Sequence, residues 1–155
     1  MATTRARKVA GRKRHLVVDS VGNMLAVAVD TAAMSDAEGG RWVLGRTRGR
    51  WPEVVKGWAD QTYRGEFVQW ARQTYGIDLA IVQRPAEAKG FVLLPRRWVV
   101  ERTLAWLGRA RRLSKEYEHH PDNTECVIYL ASCQRLLQRL CPTTTREPPY
   151  LRKTG

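Results

Sequence analysis

Apolar positions fall into blocks whose period changes along the chain. HLVV at 15–18 and MLAVAV at 24–29 are β-branched, apolar runs parted by the turn-forming cluster Asp19, Ser20, Gly22 and Asn23, which predicts an antiparallel hairpin. The second run is apolar nearly throughout, so it is expected to be a central strand covered on both faces. Ser35 and Glu38 have capping-box spacing, but Gly39 and Gly40 follow at once, so 35–46 reads as a short helix or a loop. Arg46–Trp51 then reads as a basic, Gly-interrupted linker, and GWADQTY at 57–63 as a short buried strand ending in a polar group.

From Gly65 to Tyr75, Phe67, Val68, Ala71 and Tyr75 recur on one side of a predicted amphipathic helix that Gly76 stops. IDLAIVQR follows as a strand, and PAEAKGFVLLPRR, punctuated by Pro and Gly, as a connecting loop. Trp98, Leu104, Ala105 and Leu107 mark a helix from Trp98 to about Ala110. Asp122 or Asn123 is the expected cap of a last helix through Leu140, with Ile128, Ala131, Leu136, Leu137 and Leu140 supplying core. The predicted order is β-β-(α)-β-α-β-α-α, an α/β chain without internal repeats.

Composition narrows the function classes. A chain of 155 residues makes one domain with a modest core. It has no apolar run long enough for a membrane helix and no signal-peptide pattern, which gives the expectation of a cytoplasmic protein. Cys126, Cys133 and Cys141 form no CxxC pair, so neither a disulfide framework nor a zinc ribbon is implied. Twenty-seven Lys and Arg against fifteen Asp and Glu leave a net charge of +12, which favours polyanions, chiefly nucleic acid, as partners. Residues 1–14 hold Arg5, Arg7, Lys8, Arg12, Lys13 and Arg14 with no acid and read as a flexible basic arm; 142–155 reads as a C-terminal tail.

Two carboxylates stand out chemically: Asp60, at the end of a strand, and Glu101, in mid-helix among apolar neighbours. Each has a plainer reading, Asp60 as the cap of the following turn and Glu101 as the i−4 partner of Arg97. Around Glu101 lie Arg96, Arg97, Arg102, Arg109, Arg111, Arg112 and Lys115, a cationic run suited to holding phosphates or, more simply, a solvated helix end. Carboxylates so placed can hold two hard divalent ions that activate an attacking oxygen and stabilise a leaving one. Trp98 and Trp106, about 80° apart around the helix, cannot both share the line of Glu101, and at least one is expected in the core.

The segments GRKRHLVVDSVGNMLAVAV at 11–29, WADQTYRG at 58–65 and PRRWVVERTLAWLGRARRLSKEYE at 95–118 resemble, in order and spacing, the C-terminal two-thirds of DDE transposases of bacterial insertion sequences. The resemblance, of the RRWVVERT type, covers about residues 10 to 140. It implies a ribonuclease H-like mixed sheet flanked by helices, spanning 15–141, and Mg²⁺- or Mn²⁺-dependent cutting and joining of DNA ends in transposition. By that resemblance Asp60 matches the second catalytic Asp and Glu101 the catalytic Glu, both metal ligands, and Arg97 matches the Arg preceding that Glu. Where the family signature has Tyr and Lys, this chain has Leu94 and Gly108.

The first catalytic Asp of the family lies on a strand before the hairpin. The resemblance therefore implies a partial domain without that first strand, inactive alone and requiring a complete site before metal is held. Asp19 and Asp30 match hairpin positions, a turn residue and a strand-end residue. A self-sufficient nuclease would need Asp19, Asp60 and Glu101 to converge. The resemblance also implies DNA contacts from Arg12, Lys13 and Arg14 and from the 96–115 cluster, a nucleoid association, and a possible homodimer or pairing with full-length transposase. The competing reading is a non-catalytic DNA-binding remnant or regulator of transposition.

Overall fold

The computed structural model describes residues 11–82 and 97–141. The order of elements is the expected one. β1 (Arg12–Val18) and β2 (Met24–Thr31) form the antiparallel hairpin, with Arg12 opposite Thr31, Leu16 opposite Val27, and a bulge between Val17 and Val18. Asp19 makes the turn: Oδ1 accepts from the backbone N–H of Val21 (2.9 Å) and Asn23 (2.8 Å), and Oδ2 from the Asn23 side-chain amide (2.7 Å). Gly22 takes φ +86°, a left-handed conformation that costs glycine little. β1 starts at Arg12 rather than His15, because its basic side chains find partners far along the chain. Arg12 and Arg14 reach Glu116 (3.2 and 3.4 Å), and Lys13 reaches Asp36 (3.0 Å).

The capping box is present, with the Ser35 hydroxyl accepting from Glu38 N (3.2 Å) and Glu38 Oε2 from Ser35 N (3.1 Å). It opens α1 (Asp36–Arg50), a full helix rather than a short one followed by a linker. Gly39 and Gly40 do not break it; they are buried, and a Cβ there would stand 2.1 Å from His15 Nε2 and 2.7 Å from Tyr63 Cε1. Their absent side chains let β1 and the aromatic Tyr63–Phe67 pair press against the helix.

β3 (Lys56–Ala59) pairs in parallel with β4 (Asp78–Ile81), the two being joined through α2 (Glu66–Tyr75) and its left-handed C-cap Gly76. β3 is less buried than expected, with Trp58 42% exposed. α3 (Arg97–Gly108) and α4 (Pro121–Leu140) complete the chain. Pro121 occupies the first turn of α4 and His120 the cap position, in place of Asp122 or Asn123. The loop expected between β4 and α3 lies outside the described residues.

β2 organises the core. Alternate side chains point to opposite faces of a strand, so Ala26 and Ala28 meet Val43 of α1 while Val27 and Val29 meet Leu107, Leu113 and Ile128. Burial on both faces is as expected, but β2 is not central. Among the described residues it pairs with β1 alone, and side chains take its other edge. Leu25 O accepts from Trp51 Nε1 (3.1 Å), Val27 O from Arg46 Nη1 (2.6 Å), Val27 N donates to the Tyr129 hydroxyl (3.3 Å), and Val29 N to Glu125 Oε1 (2.9 Å).

The single mixed sheet anticipated from the sequence is therefore, among the described residues, two separate two-stranded sheets, one antiparallel and one parallel, flanked by helices. A second cluster, Leu44, Phe67, Ala71, Ile77 and Leu79, fills the space between α1 and the β3–β4 unit, and Val17 touches it as well as the Ala26–Ala28–Val43 cluster. The α4 leucines assigned to the core are largely outside it. Ile128 is fully buried, whereas Leu136, Leu137 and Leu140 are 37%, 63% and 77% exposed. No helix among the described residues is long and apolar enough to cross a membrane.

Candidate nucleic-acid interface

Asp60 follows the last residue of β3, at the carboxyl end of the parallel pair, and its Oδ1 accepts from Thr62 N (2.9 Å), capping the 3-10 turn Gln61–Tyr63. The capping reading is thus realised, and the side chain remains solvent-exposed. Its negative charge, with that of Asp36, adds to burial in pushing the Tyr63 phenol up to about 12. Tyr63 OH lies 2.9 Å from Nδ1 of His15, whose pKa burial pulls below 6.5. Glu101 is exposed on α3, which packs on β1 and α4, while β3 packs on β4.

Asp19 is a turn residue, its carboxylate oxygens both spent within the hairpin, and Asp30 is the penultimate residue of β2. Oxygen donors such as Asp60 and Glu101 suit a hard divalent ion. Among the described residues, however, no three of His, Cys, Asp and Glu come together as metal ligands. Among the described residues Asp60 and Glu101 are therefore oxygen donors without a third ligand beside them.

The basic residues divide by what they touch. Arg12 donates to Glu116 and Thr124, Arg14 to Glu116 and Leu113 O, and Lys13 to Met34 O, so their charges brace β1 against the 113–124 segment and the start of α1. Arg109, Arg111, Arg112 and Lys115 are exposed, Arg112 paired with Glu118 at 2.5 Å. Arg96 and the Arg97 side chain lie outside the described residues.

On α3, Trp98, Arg102 and Trp106 follow at i, i+4, i+8, one above another on the helix face. The Arg102 guanidinium lies 4.2 Å from the Trp98 ring centroid and 4.5 Å from that of Trp106. Arg135 of α4 stacks on Trp106 at 3.0 Å. The expectation that at least one tryptophan lies in the core is not met: Trp98 is 39% exposed, and Trp106 is half-buried beside Gly22 of the turn. Arg135 and Arg139 were not singled out by sequence reasoning, which took α4 as core. Their i, i+4 spacing marks one face of α4 as basic, but nothing local says what that face meets.

The family of these residues is settled by comparison. The family described as Transposase DDE domain matches residues 2–135. A relative from Burkholderia cepacia, assigned as the transposase for insertion sequence element IS402, is 35% identical over 141 residues. The aligned part is 84% of this chain and 64% of that relative, so the chain spans somewhat under two thirds of the relative's length. No solved structure matches. The chain belongs to the DDE transposases of insertion sequences.

Proposed function

We propose that this chain is the DNA-handling part of an insertion-sequence transposase, with Asp60 and Glu101 as two of the carboxylates that hold Mg²⁺ or Mn²⁺ during DNA cleavage and strand transfer. The observation that carries the reading is the family match over residues 2–135, which includes both carboxylates and the basic helix α3. An antiparallel hairpin and a parallel β-α-β unit packed around α1 are the parts a ribonuclease H-like domain over 15–141 is built from. The residues ahead of β1 then act as a basic arm, with Arg12–Arg14 belonging to the strand, and 142–155 act as a tail. The partners are transposon ends and target DNA, with a second copy or full-length transposase completing the assembly, in the cytoplasm on the nucleoid.

With two of the family's carboxylates assigned, Asp60 and Glu101, these 155 residues by themselves bind DNA but do not cut it. Two carboxylates without a third hold their ions poorly and misplace the attacking oxygen. The second reading is a DNA-binding regulator of the element, favoured by the holding of the Asp19 carboxylate in its turn, away from a catalytic role.

The test is a titration of a labelled duplex at two salt concentrations, followed by a cleavage assay with Mg²⁺. Binding should weaken steeply with salt, and no strand should be cut. When a segment supplying the third acid is fused to the chain, cleavage at the element's ends should appear and be lost in Asp60→Ala and Glu101→Ala. Salt-independent binding overturns the nucleic-acid reading, and Asp60-dependent cleavage by the chain alone overturns the proposed inactivity.

A further inference from the structure

The hairpin turn 19–23 is held by arginines from two helices. Arg102 Nη2 donates to Val21 O (3.1 Å), Arg135 Nη1 to Gly22 O (3.2 Å), and Arg139 Nη1 to Asn23 Oδ1 (2.8 Å). Each of these acceptors is neutral. The nearby carboxylate, Asp19, already accepts three hydrogen bonds inside the turn. Three positive charges are thus gathered against the single carboxylate of Asp19, anchored by hydrogen bonds to carbonyls that do not neutralise them. A guanidinium has five N–H donors, and a single bond to the turn leaves most of them for another acceptor. Arg102 Nε is buried without a hydrogen-bond partner.

The arginines are also preorganised. Stacking on Trp98 and Trp106 fixes the planes of Arg102 and Arg135, so less side-chain entropy is lost when a ligand is gripped. Beside them opens a groove of about 500 Å³ lined by Asn23, Trp106, Arg109, Arg135 and Gln138, to which Arg135 alone of the three contributes. Burial first, and then repulsion from Arg139 and Arg102, holds the Arg135 pKa below its usual value, against the opposing pull of Asp19. An anion placed among the three would relieve that repulsion.

We infer that the surface where α3 and α4 meet the hairpin turn, at the edge of that groove, is a phosphodiester site, in which Arg102, Arg135 and Arg139 grip a backbone phosphate of the DNA. The inference rests on the proposed DNA binding and assigns it a place, on the same helix as Glu101. Planar guanidiniums match the paired oxygens of a phosphate by two parallel hydrogen bonds. The tryptophans serve here as platforms for guanidinium planes, a role distinct from stacking on bases.

The experiment uses the full chain, a short fluorescein-labelled duplex, and the variants Arg135→Gln, Arg139→Gln and their double. Glutamine removes the charge while keeping an N–H donor on a shorter side chain. Each single variant should reduce the slope of log K against log salt by about 0.9 and the double by about twice that, with the urea midpoint unchanged. Inorganic pyrophosphate should raise the melting temperature of the wild type and displace the duplex, and both effects should shrink in the Arg139→Gln chain.

A double variant that keeps the full salt slope while losing stability would show the arginines to be turn anchors only, and overturns this inference while leaving the DNA reading intact. Should the double variant fail to fold, an absent pyrophosphate effect on the wild type overturns it equally. Displacement of the duplex by polyglutamate as readily as by pyrophosphate would overturn it in favour of an acidic peptide. A wild-type chain that holds no duplex at low salt removes the DNA reading and this assignment together.

Discussion

His15 shows how much one side chain can decide. It sits buried on β1 between Gly39 of α1 and the Tyr63 hydroxyl, with Nε2 lacking a hydrogen-bond partner. Gly39→Ala brings a methyl group to 2.1 Å from that ring, so the better helix propensity of alanine, worth about 1 kcal/mol, is outweighed by overpacking of about 1–3 kcal/mol. Urea unfolding should show a net loss of stability. His15 also sets a pH dependence. Burial lowers its pKa from 6.5, so the folded state takes up its proton less readily than the unfolded chain. Its contribution is complete above 6.5 and is lost as pH falls below that value through the folded pKa. The urea-midpoint difference between wild type and His15→Gln should be widest above 6.5 and narrow in acid.

At the scale of elements, the capping box and the α4 faces make separable predictions. Ser35→Ala removes the cap of α1 and should cost about 1 kcal/mol. Ile128→Ala should cost about 2–5 kcal/mol, whereas Leu137→Gln should stay within about 0.5 kcal/mol because its side chain is exposed. Chemical denaturation of the three variants checks these together. The order of strands and helices was legible because the apolar period changes at each boundary and turn residues mark the joints. Gly39 and Gly40 misled because a glycine pair weakens an isolated helix, and only the neighbouring His15, Tyr63 and Phe67 explain why no larger residue fits. Arg12–Arg14 misled for a similar reason: three successive cations look solvated until Glu116 and Asp36, far along the chain, come to meet them. The Leu136, Leu137 and Leu140 periodicity says that a face is apolar and nothing about whether it is covered.

For the whole molecule, the candidate residues were legible as types and the groove as an assembly was not. Asp60 and Glu101 followed from motif wording, but Arg135 and Arg139 reach the turn across more than a hundred residues, a pairing that no local spacing carries. The edge of β2 gives the molecule one more property. The amides of Val27 and Val29 bond to Tyr129 and Glu125 rather than to another strand, so their exchange with deuterium is gated by α4 swinging away and not by the hairpin parting. Tyr129→Phe should speed exchange at Val27, and Glu125→Gln at Val29, with the amides of Ala26 and Ala28 unaffected, readable by NMR residue by residue. A strand of a neighbouring molecule approaching that side would find its hydrogen-bonding row already occupied by Trp51, Arg46, Tyr129 and Glu125. Crowded copies of this chain therefore cannot stack through β2 without first peeling off their own helices, which makes the strand richest in buried apolar residues a poor seed for fibres.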